Sequence, residues 1–566
     1  MSNPAEVEEL RRRFPDGLAG KRLHMIGAGG IGISAVIQLA LAQGADVTGC
    51  DQAESAMFRL LVARGVPLTL GHDPAHLTPQ PPSLPGKGGP EAPRDTRDSD
   101  PPLPARASEP PLLVGEGAGG EVLDLVVSAP AVAALDPDQA ELRAARDRGL
   151  LIVDWQALLG YFLLGRTAVS VAGVHGKGST TALLGALAIA GGLDPTVEVG
   201  AVVPAWESNV RLGQGAVFVN EADEWNENFL HYHPRVVILT AVEYDHPEYF
   251  ASYEAIRAAF LQFLRGMDLD VRADGGPPAT IVYNADDPGC RELRALLGDG
   301  FPVVWRTFGG AIEQAQQAEQ AEQTERLEPT ERLELPEQVE QTDVRASEVR
   351  VAGETSFRLW LDGQDLGRVA LRTPGAHNVA NALAAVAGAT ALGVPAASIV
   401  PALAAFGGLR RRFEISESDQ PAPGITYVDD YAHHPHAVAL TLATARQRFA
   451  GRRLVAVFQP TLYTRLHRFL RPFGAAFDAA AVVVVVEIQP SRERDTGLVH
   501  GRDLVRAIAA RPAFAGHPDD VVYGGDFGAT VATLRQRLRP EDVLVVMGSG
   551  PVNRIIAPLR DGPTTS

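Results

Sequence analysis

Short apolar runs alternate with amphipathic stretches along most of this chain. Arg22–Ile26, Leu125–Val127, Ala168–Ala172, Val236–Thr240, Leu454–Phe458, Val482–Val486 and Val543–Met547 are Val- or Leu-rich and too short for helices, so they predict buried strands. Several lead through glycine into Ala-rich stretches such as Ser34–Ala42 and Thr180–Ala190, which predict helices. This βα repetition predicts an α/β fold with largely parallel sheets. Divisions fall near Gly165, ahead of the strand that feeds a second glycine loop, and near Ala405, ahead of a basic patch. The expected domains are therefore 1–165, 166–405 and 406–566.

Two segments break the pattern. Residues 78–111 hold eleven prolines among glycines and mixed charges, which disfavours helix and central strand and predicts a long surface loop. From Glu313 to Asp343 a glutamate recurs at almost every third position, a spacing that drifts around a helix and builds no apolar stripe. This second segment is expected to be a solvated insertion. Its ten acids against Arg326 and Arg332 give −8 of the whole-chain −18.

Composition narrows the function classes. A length of 566 residues suits about three domains, and 45% hydrophobic content excludes a wholly disordered chain. The acidic balance argues against nucleic-acid or membrane partners, which need clustered Lys and Arg. Cys50 and Cys290 cannot build a disulfide framework, and the N-terminus lacks the apolar core of a secretory signal. The longest apolar run, Ala479 to Val486, is far short of a bilayer. A cytoplasmic protein, monomer or homodimer, is expected.

Two glycine loops carry the candidate chemistry. GAGGIGIS, 27–34, satisfies G-x-G-x-x-G through Gly27, Gly29 and Gly32, with Gly30 and Ser34 between and after them. Such a loop brings a pyrophosphate close to backbone N–H groups at a helix start, and Asp51, ending the strand VTGCD, could accept from a ribose hydroxyl. The motif leaves open NAD, another diphosphate nucleotide, or close helix–strand packing. The second loop, GVHGKGSTT at 173–181, lies between a strand and a helix, the order of a phosphate-binding loop. Gly173, Gly176 and Lys177 would cradle and neutralise the β/γ-phosphates of ATP. Gly178 stands where a hydroxyl usually follows the lysine, so the expected Mg²⁺ ligand is Ser179, with Thr180 second. A dehydrogenase has no use for a γ-phosphate lysine, so the second loop weakens the NAD reading of the first.

With these loops in place, the chain resembles the Mur ligases, and among them most closely those that join L-alanine to UDP-N-acetylmuramate in peptidoglycan precursor synthesis. The resemblance rests on both loops and, in order, on NEADEWNENFL (220–230), VEYDHPEYF (242–250), TPGAHNVANALAA (373–385), LRRRFE (409–414), VDDYAHHP (428–435), FQPTLYTR (458–465) and VLVVMGSG (543–550). It implies a Rossmann-like N-terminal domain for the UDP-sugar, a central P-loop ATPase domain, and a Rossmann-like C-terminal domain for the amino acid. It implies an ATP- and Mg²⁺-dependent amide ligase working through an acyl phosphate.

The resemblance also implies residue roles. Lys177, Glu221, His246 and Arg412 would be catalytic, with Ser179, Glu221 and His246 on Mg²⁺ and with Asp223 and Glu224 supporting or solvated. ATP would meet Gly173, His175, Gly176, Lys177, Gly178, Ser179, Thr180, His377, Asn378, Asn381 and Arg411. The UDP-sugar would meet Gly27, Gly29, Gly30, Gly32, Ser34 and Asp51, and the amino acid would meet Tyr431, His433 and Arg465, with Asp430 as organiser. Three departures stand out: Gly178-Ser179 resembles the loop of folylpolyglutamate synthetases, Thr461-Leu462 replaces a usual His-Arg pair, and Trp225-Asn226 replaces Ser-Asp. A ligase recycling preformed muropeptides and a non-catalytic paralogue are the alternatives these departures raise.

Overall fold

The computed structural model describes residues 5–77, 123–270, 276–310, 342–417 and 424–560, except 492 and 496. The proline-rich segment 78–111 lies outside them, as does all of the acidic segment except Thr342 and Asp343. The chain separates into two compact units, Ala5–Phe162 and the chain from Leu163 on.

In the first unit the described strands form one five-stranded sheet in the order Leu68–Leu70, Asp46–Asp51, Arg22–Ile26, Leu125–Ser128, Ile152–Asp154. Every pairing is parallel. This is a doubly wound arrangement, with the first strand central and the first glycine loop at its C-terminal end.

The second unit holds a ten-stranded and a six-stranded sheet. In the larger, Val304–Gly309, Thr280–Asn284, Val236–Leu239, Thr167–Ala172, Val217–Ala222 and Thr196–Val203 run parallel side by side. Thr167–Ala172 is buried at every position, the pattern of a central strand covered on both faces. The edges depart from the expected parallel order. Ser208–Arg211 pairs antiparallel at one, and the meander Val344–Arg350, Thr355–Leu361, Gln364–Leu371 extends the other. These edge strands mix Arg, Ser and Asp with apolar residues, so they lack the continuous apolar run that marks the central ones. Helix Lys177–Ala190 packs on helix Ala376–Ala391 within the same apolar core.

The six-stranded sheet runs Glu414–Glu417, Thr426–Asp430, Val543–Met547, Leu454–Phe458, Val482–Val486, Val521–Gly525. Only its first strand is antiparallel. No described helix is long and apolar enough to cross a membrane.

Candidate active site

The second glycine loop turns from strand Thr167–Ala172 into helix Lys177–Ala190. Gly176 caps that helix at φ +79°, a left-handed conformation that side chains resist. A Cβ there would also lie 2.4 Å from Asn381 Oδ1. Gly176→Ala is therefore expected to cost about 1–3 kcal/mol through backbone strain and the displaced amide. Thermal unfolding reads that loss, and Gly176→Ala/Asn381→Ala should recover only the steric part. Of the helix hydroxyls, Thr180 donates to Asn381 Oδ1 at 3.4 Å and Thr181 to the Lys177 carbonyl at 2.9 Å, while Ser179 is half-buried at the loop.

Charge gathers on Lys177. Its Nζ donates to Glu224 Oε2 at 2.6 Å, and Asp223 Oδ1 stands 3.9 Å away. Burial opposes the lysine's charge, but Glu224, Asp223 and Glu221 outweigh it and hold its pKa above the ordinary value. Glu224 was expected to be supporting or solvated, yet its side chain has 0% exposure and faces both Lys177 and His246, whose Nε2 is 3.5 Å from Oε1. Asp223, Glu224 and His246 place ligand atoms within 4.8 Å of one another. Glu224 Oε1 is buried without a hydrogen bond. Hard oxygens, an imidazole and a spare carboxylate lone pair beside a phosphate-type loop fit Mg²⁺.

Glu221, expected on that metal, lies close enough to Lys177 to help raise its pKa. Its Oε2 accepts from Gly200 N at 2.8 Å and lies 3.0 Å from the position of a Cβ on Gly178. The space that a residue larger than glycine would need after the loop lysine is thus taken by a carboxylate, which explains Gly178 in steric terms.

Behind it, buried Glu198 accepts from Glu221 N at 3.3 Å. Burial first, and Glu221 second, lift its pKa to about 8. Unfolded, Glu198 ionises near 4.5, whereas the folded chain holds its proton to about 8, so stability falls as pH rises between those values. Glu198→Gln should be about 1–3 kcal/mol more stable than wild type at pH 7 and equal to it below pH 4.5, as read by urea unfolding.

The C-terminal sheet brings a second set of groups to the loop. Arg465 Nη2 donates to Asp245 Oδ1 at 3.0 Å and meets His246 Nδ1 at 3.3 Å. Its Nε is buried without a hydrogen bond. Burial would raise the Asp245 pKa, but Arg465 and then His246 hold it well below the ordinary range. Burial works against a charge on His246, but Asp245, Glu224 and Glu248 lift its pKa to about 9. The expected amino-acid arginine thus sits on the His246 cluster.

His175 pairs with Glu243 at 2.6 Å, and its ring stacks on His436 at 5.6 Å and lies 5.3 Å from His434. His433 has a different partner: its Nδ1 meets the Tyr431 carbonyl at 3.0 Å, and desolvation drives its pKa well down. Asp430 accepts from the amides of Phe413 and Ala432, which fits the organiser expected there.

The arginine run divides. Arg411, expected at the nucleotide, donates to the carbonyls of Gly548 and Gly550 at 2.6 and 2.8 Å and so fastens the MGSG turn. Its backbone is left-handed, φ +57°, and its guanidinium also lies 5.3 Å over the Tyr431 ring. Arg412 stacks 4.9 Å over the Tyr431 ring; burial raises the Glu221 pKa, and Lys177 and then Arg412 oppose that rise. Of the two asparagines expected at the nucleotide, Asn378 donates to Pro374 O at 2.7 Å and accepts from Asn381 at 3.2 Å, the shared helix face that their spacing predicts. His377 is half-buried, its pKa is lowered to about 4 chiefly by desolvation, and its buried Nδ1 has no hydrogen bond.

Within the first unit, the other glycine loop is largely self-satisfied. Asp51, expected at a ribose, accepts from Gly29 N at 2.8 Å and Ala53 N at 3.1 Å. Ser34 donates to the Ile31 carbonyl at 2.7 Å. Gly27 accepts from Gly30 N, and Gly30 caps helix Ile31–Ala42. A Cβ on Gly32 would fall 2.3 Å from the Trp155 ring. The Asp51 carboxylate therefore braces the loop rather than standing open, and Gly32 serves close helix packing.

Thr461 and Leu462 are also explained locally. Thr461 Oγ1 meets Ser549 Oγ at 2.8 Å, and Leu462 is 1% exposed, so this position offers core where a cation was expected. Sequence reasoning undervalued Glu224 and missed Glu198, Glu243 and the placing of His434 and His436. Only Glu224 carried a signal, as the last acid of NEADE after a buried strand.

Comparison with known proteins bears on this geometry. Models of the Mur ligase catalytic domain, the Mur ligase middle domain and the Mur ligase glutamate ligase domain match residues 22–167, 171–389 and 411–550. The chain belongs to the Mur ligase family. Curated members similar to this Mur ligase include the UDP-N-acetylmuramate–L-alanine ligase of Acidothermus cellulolyticus, 35% identical over 95% of this chain and 94% of that one. The enzyme of the same name from Methylococcus capsulatus is 31% identical over 94% of each. Among solved structures, UDP-N-acetylmuramate-alanine ligase from Thermotoga maritima superposes on this Mur ligase with a TM-score of 0.68 at 24% identity, covering 95% of this chain and 98% of that one. A murein peptide ligase from Psychrobacter arcticus gives 0.63 at 23% identity, with the same coverage. Both share the fold of this three-domain α/β ligase.

Proposed function

We propose that this Mur ligase joins L-alanine to the lactyl carboxylate of UDP-N-acetylmuramate at the expense of ATP. The observation that carries the chemistry is Lys177, at the start of its helix, bonded to buried Glu224 beside His246 and Arg465. The names of its relatives supply the substrates.

A carboxylate is a poor acyl donor because oxide would have to leave. An oxygen of the lactyl carboxylate attacks the γ-phosphorus of ATP, the bond to ADP breaks, and an acyl phosphate results. The amine of L-alanine attacks the acyl carbon, loses a proton, and phosphate departs with the C–O bond electrons. Lys177 exchanges its bond to Glu224 for the γ-phosphate and offsets the charge there. Asp223, Glu224 and His246, with Ser179 at the loop, would hold Mg²⁺, which supplies further positive charge to the phosphate oxygens. Arg412 is placed to add to that field, and Arg465, through its spare Nε, to hold the alanine carboxylate. The MGSG turn, fastened by Arg411, together with Tyr431 shapes the wall behind it.

One observation favours a second reading. Leu462 removes a cation where an amino-acid carboxylate would be met, as suits a peptide acceptor. ADP release measured with UDP-N-acetylmuramate and either L-alanine or an L-alanyl peptide separates the two. Release with L-alanine alone supports the proposal; release only with the peptide replaces it with muropeptide recycling.

A further inference from the structure

The first unit contains a second cluster of ligand-type side chains that the ligase chemistry does not use. His24 comes from the central strand Arg22–Ile26, Cys50 from Asp46–Asp51, His76 from the turn Pro74–Leu77, and Glu141 from helix Ala140–Asp147. These four residues place one ligand atom each within 4.8 Å of one another. His24, Cys50 and Glu141 are essentially inaccessible, at 1%, 0% and 0% exposure.

The hydrogen bonding is unbalanced. Glu141 Oε2 meets Cys50 Sγ at 3.0 Å, Gln139 Nε2 at 3.0 Å and His72 Nδ1 at 3.1 Å. Its Oε1 meets His76 Nδ1 at 2.6 Å and Asp73 N at 3.1 Å. Five donor groups thus converge on a carboxylate with about four lone-pair sites. His24 Nε2, by contrast, is buried with no hydrogen bond, 3.9 Å from Glu141 Oε1. The outer ring nitrogens of both histidines are anchored: His24 Nδ1 to Thr48 Oγ1 at 2.9 Å, and His76 Nε2 to Thr69 Oγ1 at 3.4 Å. Outer partners of this kind fix imidazoles that point their other nitrogen at a metal.

We propose that His24 Nε2, Cys50 Sγ, His76 Nδ1 and Glu141 bind one Zn²⁺ as a structural site. Two neutral imidazoles, a thiolate and a carboxylate bring charge −2, so Zn²⁺ leaves a neutral centre, which a buried location requires. Mixed N, S and O donors suit zinc over the harder Mg²⁺. Four-coordinate zinc with bonds of about 2.0–2.3 Å sets its ligands roughly 3.3–3.7 Å apart. The separations from Glu141 to the other three, 2.6 to 3.9 Å, bracket that spacing, and all four ligand atoms lie within 4.8 Å of one another. The Cys50 thiol proton, now directed at Glu141, leaves to solvent on binding. The ion ties four elements together directly beneath the first glycine loop, because the Cys50 carbonyl accepts from Gly27 N and Ala28 N at 2.9 Å each.

Co²⁺ is the probe. Full-length protein stripped with chelator and titrated with Co²⁺ should take up one ion per chain with a thiolate-to-cobalt charge-transfer band, which Zn²⁺ abolishes. Cys50→Ser should lose that band, and Cys290→Ser should keep it. His76→Gln should weaken uptake by about 100-fold or more, and serves in place of Cys50→Ser if that variant does not fold. The acidic cluster at Lys177 contains no sulfur and cannot mimic the signal. Absence of the band in wild type, or its survival in Cys50→Ser, overturns the site.

Discussion

Lys177→Met is expected to lower ADP formation by about 10³-fold or more while destabilising the fold by about 3 kcal/mol. The two losses have different causes. Activity falls because the transferring phosphoryl group loses the ammonium at the start of that helix. Stability falls because Glu224, fully buried, loses the ammonium bonded to it at 2.6 Å and keeps only His246 at 3.5 Å. Removing one partner of a buried pair costs more than removing both. Lys177→Met/Glu224→Gln should therefore regain most of the lost stability and none of the activity. Single-turnover ADP release and urea unfolding of the two variants read these outcomes separately. Near wild-type turnover in Lys177→Met would remove the lysine from phosphate chemistry.

Arg465→Met should have an effect of similar size for a related reason. Its guanidinium is 3% exposed and bonds Asp245, whose own side chain is 6% exposed, so the variant strands a buried carboxylate at a cost of about 3 kcal/mol. Because the wild-type Asp245 pKa lies well below 3.8, the pair's stabilisation is present above that value and is lost only as acid reaches the lowered pKa. In Arg465→Met that acid-resistant component should vanish from the unfolding profile. Arg465→Lys keeps the charge but loses the planar fork, so it should retain part of the stability while the KM for the amino acid rises about 10-fold or more. An unchanged KM in Arg465→Lys would place the arginine in structure alone.

The parallel cores were legible because they are written as local patterns. Strands such as Val482–Val486 and Val543–Met547 appear where unbroken apolar runs predict them, and the loop before Lys177 follows from its glycines. The meander Val344–Leu371 escaped notice because half-exposed edge strands mix polar and apolar residues. Within the site, spacing revealed which residues share a helix face, as with Asn378 and Asn381. It could not reveal that Arg411 fastens the MGSG turn, since that depends on the carbonyls of Gly548 and Gly550, distant in the chain. Nor could it separate Glu221 from Glu224, three residues apart: Gly200 N donates to the first, and the second pairs with Lys177 and His246. That choice depends on Gly200 and His246, distant in the chain.

The pairing of Val304–Gly309 with Val344–Arg350 offers a place to re-engineer the chain. Phe308 lies opposite Val344 and Gly309 opposite Arg345, and Asp343 accepts from both the amide and the hydroxyl of Thr307. The described residues flanking the acidic segment are therefore pinned about one strand spacing apart, roughly 5 Å. Closure entropy grows only with the logarithm of length, so exchanging that segment for a short linker should stabilise the fold by about 1–2 kcal/mol. The same pinned gap is a port for grafting: a reporter domain whose own termini lie close together could enter there without parting the strands that hold Lys177.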